Sequence, residues 1–129
     1  MERKWIITGL ILLITGIILG AFGAHALKNV ISDPEKLSAF ETGVRYQLIH
    51  AVAFLSVPFI VRQFGINSTW SFRLLLAGVI CFSCSIYLLT LKDAVGIPAL
   101  KFFGPVTPLG GLLLILGWTI LLLQVIRKR

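Results

Sequence analysis

The sequence predicts an all-α integral membrane protein: four transmembrane helices in a compact bundle, with a short interfacial helix between helices 1 and 2. Three observations predict it. Hydrophobic residues make up 57% of the 129 positions and charged residues only 13%, about half the ~25% of a soluble domain. The mean hydropathy is +0.97. The apolar residues fall into four runs, and at ~1.5 Å per helical residue such runs cross ~30 Å of hydrocarbon. The runs are continuous rather than alternating, which excludes the strands of a β-barrel.

The chain reads as a single four-helix membrane domain, residues 1–129, with spans at about 6–25, 44–62, 72–91 and 103–126. Arg3 and Lys4 precede the first span, and Trp5 stands where an interfacial aromatic belongs. Arg3, Lys4 and Ala24-His25-Ala26 also have the form of a signal-peptide n-region and cleavage site. The length of the run and the three spans behind it favour a retained helix.

Residues 28–42 are the longest polar stretch. Asp33-Pro34 reads as an N-cap followed by proline at the first helical position, and Ser32-x-x-Glu35 fits a capping box. A short helix is expected from about Pro34, lying on the membrane surface or running into the next span. The second span is bracketed by Arg45 and Arg62, whose long stems can snorkel outward. Pro58 inside it removes one backbone donor and predicts a kink. Gly65-Ile66-Asn67-Ser68 marks the second turn and Asp93, Gly96 and Pro98 the third. Pro105 and Pro108 fall in the first turns of the fourth span, where a missing donor costs least.

The net charge of +7 sits in ones and twos at the ends of apolar runs, with no basic stripe, so nucleic acid is excluded as a partner. Four spans place both termini and the second turn on one side. That side carries Arg3, Lys4, Arg62, Arg73, Arg127, Lys128 and Arg129; the other carries Lys28, Lys36, Arg45, Lys92 and Lys101. The bias is weak and points to cytoplasmic termini.

Small residues mark helix contacts. Gly9, Gly16 and Gly20 with Ala24 form one face of the first span. Gly78 with Cys81 and Ser85 do so on the third, and Gly110 with Gly117 on the fourth. Glycine costs a helix about 1 kcal/mol against alanine, so close packing is the economical account of these positions. A glycine-lined pore is the alternative.

Hairpin connectivity gathers the polar residues near the membrane at one face. They are His25; Arg45, Tyr46, Gln47 and His50; Ser85, Tyr87 and Thr90; and Thr107. His50 is five residues beyond Arg45, about 7 Å deeper. Tyr46 and Gln47 lie one turn from it. Glu41 and Arg45, four apart, have the spacing of an ion pair. An ionisable residue in a membrane is a functional hypothesis by default. The main reading here is structural: these groups pair with one another and fix the register of the spans. A site for a small polar ligand or lipid headgroup, or a proton relay through His25 and His50, are the alternatives.

Cys81-Phe82-Ser83-Cys84 has C-x-x-C spacing, but no second pair completes a zinc site and no redox fold surrounds it. Two small buried helix-face residues are the expectation. There is no nucleotide fingerprint and no carboxylate pair inside the spans. No cofactor, no metal and no enzymatic reaction are expected, and a coupled transporter is disfavoured.

The ordered motifs are Gly20-Ala21-Phe22-Gly23-Ala24-His25-Ala26-Leu27-Lys28; Phe40-Glu41-Thr42-Gly43-Val44-Arg45-Tyr46-Gln47-Leu48-Ile49-His50-Ala51; Phe82-Ser83-Cys84-Ser85-Ile86-Tyr87; and Gly104-Pro105-Val106-Thr107-Pro108-Leu109-Gly110-Gly111. Over nearly the whole chain this resembles the bacterial small membrane protein family of unknown function catalogued as domain of unknown function 423, whose animal relatives are called transmembrane protein 256. The resemblance implies a four-helix protein of the bacterial plasma membrane and no particular activity. Its motifs coincide with His25, Glu41, Arg45, Tyr46, Gln47, His50, Tyr87 and Thr107. Cys84 stands where the family pattern has glycine, so a redox role of the cysteines is not implied. The expected function is a non-enzymatic structural or accessory membrane component, in company with the lipid bilayer and a membrane-protein partner or second copy. A small-solute or ion permease is the alternative, and an enzyme acting on a lipid or quinone comes last.

Overall fold

The computed structural model describes residues 2–92 and 94–128. It has four helices long and apolar enough to cross a membrane. Asp93, expected to mark the third turn, and Arg129, counted among the terminal cations, lie outside the described residues. The first span is α1 (Glu2–Ala24), followed by a 3-10 turn, Leu27–Asn29. The second is α2 (Pro34–Phe64). The third is continuous from Thr69 to Leu91: α3 (Thr69–Val79), a π-helical turn (Ile80–Cys84) and α4 (Ser85–Leu91). A 3-10 helix, Pro98–Phe103, leads into the fourth span, α5 (Val106–Arg127). No strand occurs among the described residues.

α2 starts where its sequence directs. The Asp33 carboxylate accepts from the Glu35 backbone N–H at 2.9 Å, and Pro34 occupies the first turn. Asp33 is thus the cap, rather than Ser32 of the capping box. Of the two courses open to the helix from Pro34, it takes the second: it runs unbroken through Pro58 to Phe64. No separate short helix therefore stands between the first two spans: the expected one is the first part of α2 itself, and the connection before it holds only the 3-10 turn Leu27–Asn29. α2 ends because Gly65 enters the left-handed region at φ 56°. The Ile66 N–H then reaches back to the Val61 carbonyl at 3.2 Å, a glycine helix stop. Gln124 Nε2 donates to the Asn67 carbonyl at 2.8 Å and ties this turn to α5.

α1 lies along α2, α5 lies along the third span, and α2 meets the third span between them. α1 and α5 therefore turn large side chains outward, among them Ile11, Ile14, Ile18 and Leu122. Lipid is the solvent that accepts such a surface. The core has two parts. Towards the termini, Trp5, Phe54, Val57 and Leu75 are buried together. Trp5 packs edge-on to Phe54 and Phe72 at 4.8 and 5.0 Å. Its indole N–H donates to Ser68 Oγ at 3.0 Å. At the other end Leu27, Ile31, Phe40, Val44 and Tyr87 form a second cluster.

The seam of α1 is Gly9, Gly16 and Gly23, all buried. A Cβ at Gly16 would stand 2.7 Å from Leu48 Cδ2, and one at Gly23 2.9 Å from the Phe40 ring. Seven-residue spacing keeps one face towards a left-handed partner. The expected face of Gly16, Gly20 and Ala24 is corrected accordingly. Gly20 flanks the seam, where an added Cβ would stand 3.3 Å from Val44, and Ala24 is exposed. On the other pair, Gly117 meets Leu75 and Gly78 meets Leu114. Gly110 allows the closest approach: a Cβ there would strike the backbone nitrogen of Phe82 and stand 2.8 Å from its Cα. Cys84, expected to be buried, is exposed. The π turn holds an extra residue per turn and carries Cys84 out of the α3–α5 contact.

Candidate functional site

The polar groups of α2 reach the middle of the bundle rather than one membrane face. The glycine contacts set the register: Gly9 stands against Ala51 and Leu55, Gly16 against Gln47 and Leu48, and Gly23 against Phe40. Gln47 and His50 therefore lie level with the central turns of α1.

Gln47 is 5% exposed and joins three spans. Its Nε2 donates to Thr15 Oγ1 at 2.8 Å and to the Leu12 carbonyl at 3.0 Å, both on α1. Its Oε1 accepts from the Tyr87 hydroxyl of α4 at 2.8 Å. Gly43 makes room for Tyr87, since a Cβ there would lie 2.8 Å from the phenol ring. Ser83 Oγ donates to the Gly43 carbonyl at 2.9 Å, a second link between α2 and the third span.

His50, one turn deeper, joins α2 to α5. Its Nδ1 and the Tyr46 carbonyl are 2.8 Å apart. A carbonyl only accepts, so Nδ1 carries the proton. That leaves Nε2 as an acceptor, and the Trp118 indole N–H donates to it at 3.1 Å. Both ring nitrogens are thus engaged, in the neutral tautomer. Nearer the loops, Ser85 Oγ and Thr107 Oγ1 are 2.7 Å apart and link α4 to α5.

Of the residues the sequence singled out, Gln47, His50, Tyr87 and Thr107 belong to this layer. His25, Glu41 and Arg45 do not: all three are exposed. Among the described residues no ion pair joins Glu41 to Arg45. Tyr46 stacks beside His50 but turns outward, 41% exposed. Sequence reasoning missed Thr15, Ser83 and Trp118. Trp118 gave a usable signal: an indole N–H far from either interface needs an acceptor in hydrocarbon.

Between α2 and α5 the layer borders a cleft of about 500 Å³, lined by Tyr46, His50, Phe82 of the π turn, Leu114 and Trp118. Gly111 also lines it.

Comparison with known proteins agrees with a membrane location. A family model described as "Protein of unknown function (DUF423)" matches residues 19–111. A UPF0382 membrane protein of Staphylococcus aureus (strain bovine RF122 / ET3-1) is 38% identical over 121 residues, covering 94% of this chain and 93% of its own. UPF0382 membrane protein YwdK of Bacillus subtilis (strain 168) is 34% identical over 127 residues, covering 97% and 98%. No solved structure matches.

Proposed function

This chain belongs to the protein family of unknown function DUF423, and from that premise we propose that it is a non-enzymatic membrane component, structural in itself or accessory to other membrane proteins. One observation carries the reading. Gln47 and His50 direct their hydrogen bonds at groups on other spans and at helix carbonyls: Gln47 to Thr15, the Leu12 carbonyl and Tyr87, His50 to the Tyr46 carbonyl and Trp118. Groups so paired fix which helix faces meet, and water is absent to compete with them. The bacterial relatives support a place in the plasma membrane. The seven cations against five support cytoplasmic termini. The outward apolar faces of α1 and α5 are where lipid, a second copy or another membrane protein would meet it.

The test is His50→Ala in the purified full chain. It removes the link to Trp118 and leaves that indole N–H without its acceptor. Thermal melting in detergent should shift downward. Melting indistinguishable from the unaltered protein would remove the structural reading.

A further inference from the structure

We propose that the end of the bundle carrying the termini holds the phosphodiester of an anionic phospholipid, in a cleft beside the turn between the second and third spans. The cations at that end lack counter-charges. Of its described residues Arg3, Lys4, Arg62, Arg73, Arg127 and Lys128 are cationic, and Glu2 alone is acidic. At the opposite end five cations stand with Asp33, Glu35 and Glu41. Among the described residues none of the six cations makes an ion pair or a hydrogen bond. Arg73 has a partner of another kind, the Trp70 ring, whose centroid is 5.4 Å from its guanidinium carbon.

Membrane topology depends on how many cations a side carries; it does not ask that they converge. Three of them do. Between the start of α1 and the end of α2 lies a cleft of about 520 Å³, lined by Glu2, Arg3, Val61, Ile66 and Asn67. Arg62 follows Val61 in the last turn of α2. Lys128 arrives from α5: its Nζ is 4.0 Å from the point a Cβ at Gly65 would occupy, next to Ile66. The first, second and fourth spans thus each bring one cation to this turn. Glu2 offsets one of the three, and the surplus suits a phosphodiester, which carries a single negative charge. Guanidinium and ammonium groups bind phosphate oxygens through charge-assisted hydrogen bonds. Basic pockets between membrane helices hold anionic headgroups in this way. Two further observations favour a lipid over a free anion. Val61 and Ile66 give the cleft an apolar side, on which a glycerol backbone and its chains can lie. Trp70, 64% exposed in the first turn of α3, sets this end at headgroup depth. The cleft is remote from Gln47 and His50, so this binding can fail while the structural role stands.

The experiment titrates the full-length protein in a neutral detergent with dioleoyl phosphatidylglycerol and, separately, with dioleoyl phosphatidylcholine. The two share their chains and differ in headgroup charge. Native mass spectrometry counts the lipids retained, and thermal melting reads the stabilisation. Phosphatidylglycerol should bind saturably and raise the melting temperature; phosphatidylcholine should do neither. Arg3→Gln and Lys128→Gln should each weaken phosphatidylglycerol binding about fivefold, the worth of one cation at an anionic surface. Lys4→Gln combined with Arg127→Gln removes two charges from the same end, at positions that do not line the cleft. It should leave the affinity unchanged. Melting without lipid shows that each variant is folded. The proposal is overturned if phosphatidylcholine binds as tightly as phosphatidylglycerol, or if inorganic phosphate stabilises the protein as well as the lipid does. It is overturned equally if the Lys4 and Arg127 pair weakens binding as much as the Arg3 and Lys128 changes, since the net charge of that end would then account for it.

Discussion

Gln47→Leu is the substitution whose cost is best worked from the structure. The change keeps the bulk of the side chain and deletes three hydrogen bonds, two from Nε2 to α1 and one from Tyr87 to Oε1. Inside membranes such bonds average about 0.6 kcal/mol each, so their loss comes to about 2 kcal/mol. The partners are not left equal. Thr15 Oγ1 still donates to the Ile11 carbonyl, so it remains satisfied. The Tyr87 hydroxyl, on a residue 8% exposed, loses its acceptor, which adds about 1–3 kcal/mol. The expected total is about 3–5 kcal/mol, read as reversible unfolding in mixed micelles with increasing SDS. The tyrosine share is separable. Adding Tyr87→Phe removes the orphan and should restore about 1–3 kcal/mol. A Gln47→Leu effect under about 1 kcal/mol would refute the claim that this amide holds three spans together. A double variant no more stable than the single would refute the account of the phenol.

Gly110→Ala should destabilise by about 1–3 kcal/mol, because its Cβ meets the fixed backbone of Phe82 and packed helices resist such insertion. Gly20→Ala should be near neutral in the same unfolding assay, since it meets only the Val44 side chain at 3.3 Å and gains helix propensity; equal effects at the two sites would sink the distinction. Single cysteines at positions 3, 67 and 127, in a background without Cys81 and Cys84, should label with a membrane-impermeant maleimide from one side of the membrane. Cysteines at 29 and 97 should label from the other, and a mixed pattern would contradict four crossings.

The spans, their turns and the Asp33 cap were legible in the sequence because each rests on a local rule. Apolar length gives a crossing, and an aspartate before proline gives a start. The polar layer was legible in part, at Gln47 and His50 of α2, Tyr87 of α4 and Thr107 of α5. Gln47 and His50 were visible, but their partners Thr15 and Trp118 lie 32 and 68 residues away, and pairing at that distance depends on helix rotation. Rotation is also what separated Gly23 from Ala24. Neighbours on a helix differ by about 100°, and two small residues in a row do not say which faces inward. The π turn had no signal of its own, so the outward position of Cys84 could not be read before the structure.

α2 is a rod longer than its membrane is thick. Its 31 residues extend about 46 Å, against hydrocarbon of about 30 Å, so roughly three turns stand in the headgroup layer or beyond. The lower end is pinned at the Gly65 stop, so the surplus emerges at the Pro34 end. One unbroken helix thus serves two solvents. Glu35 and Glu41 are hydrated at no cost, which is why Glu41 needs no guanidinium beside it. Gln47 and His50, farther down the same rod, have no water to turn to and must find neighbours of their own.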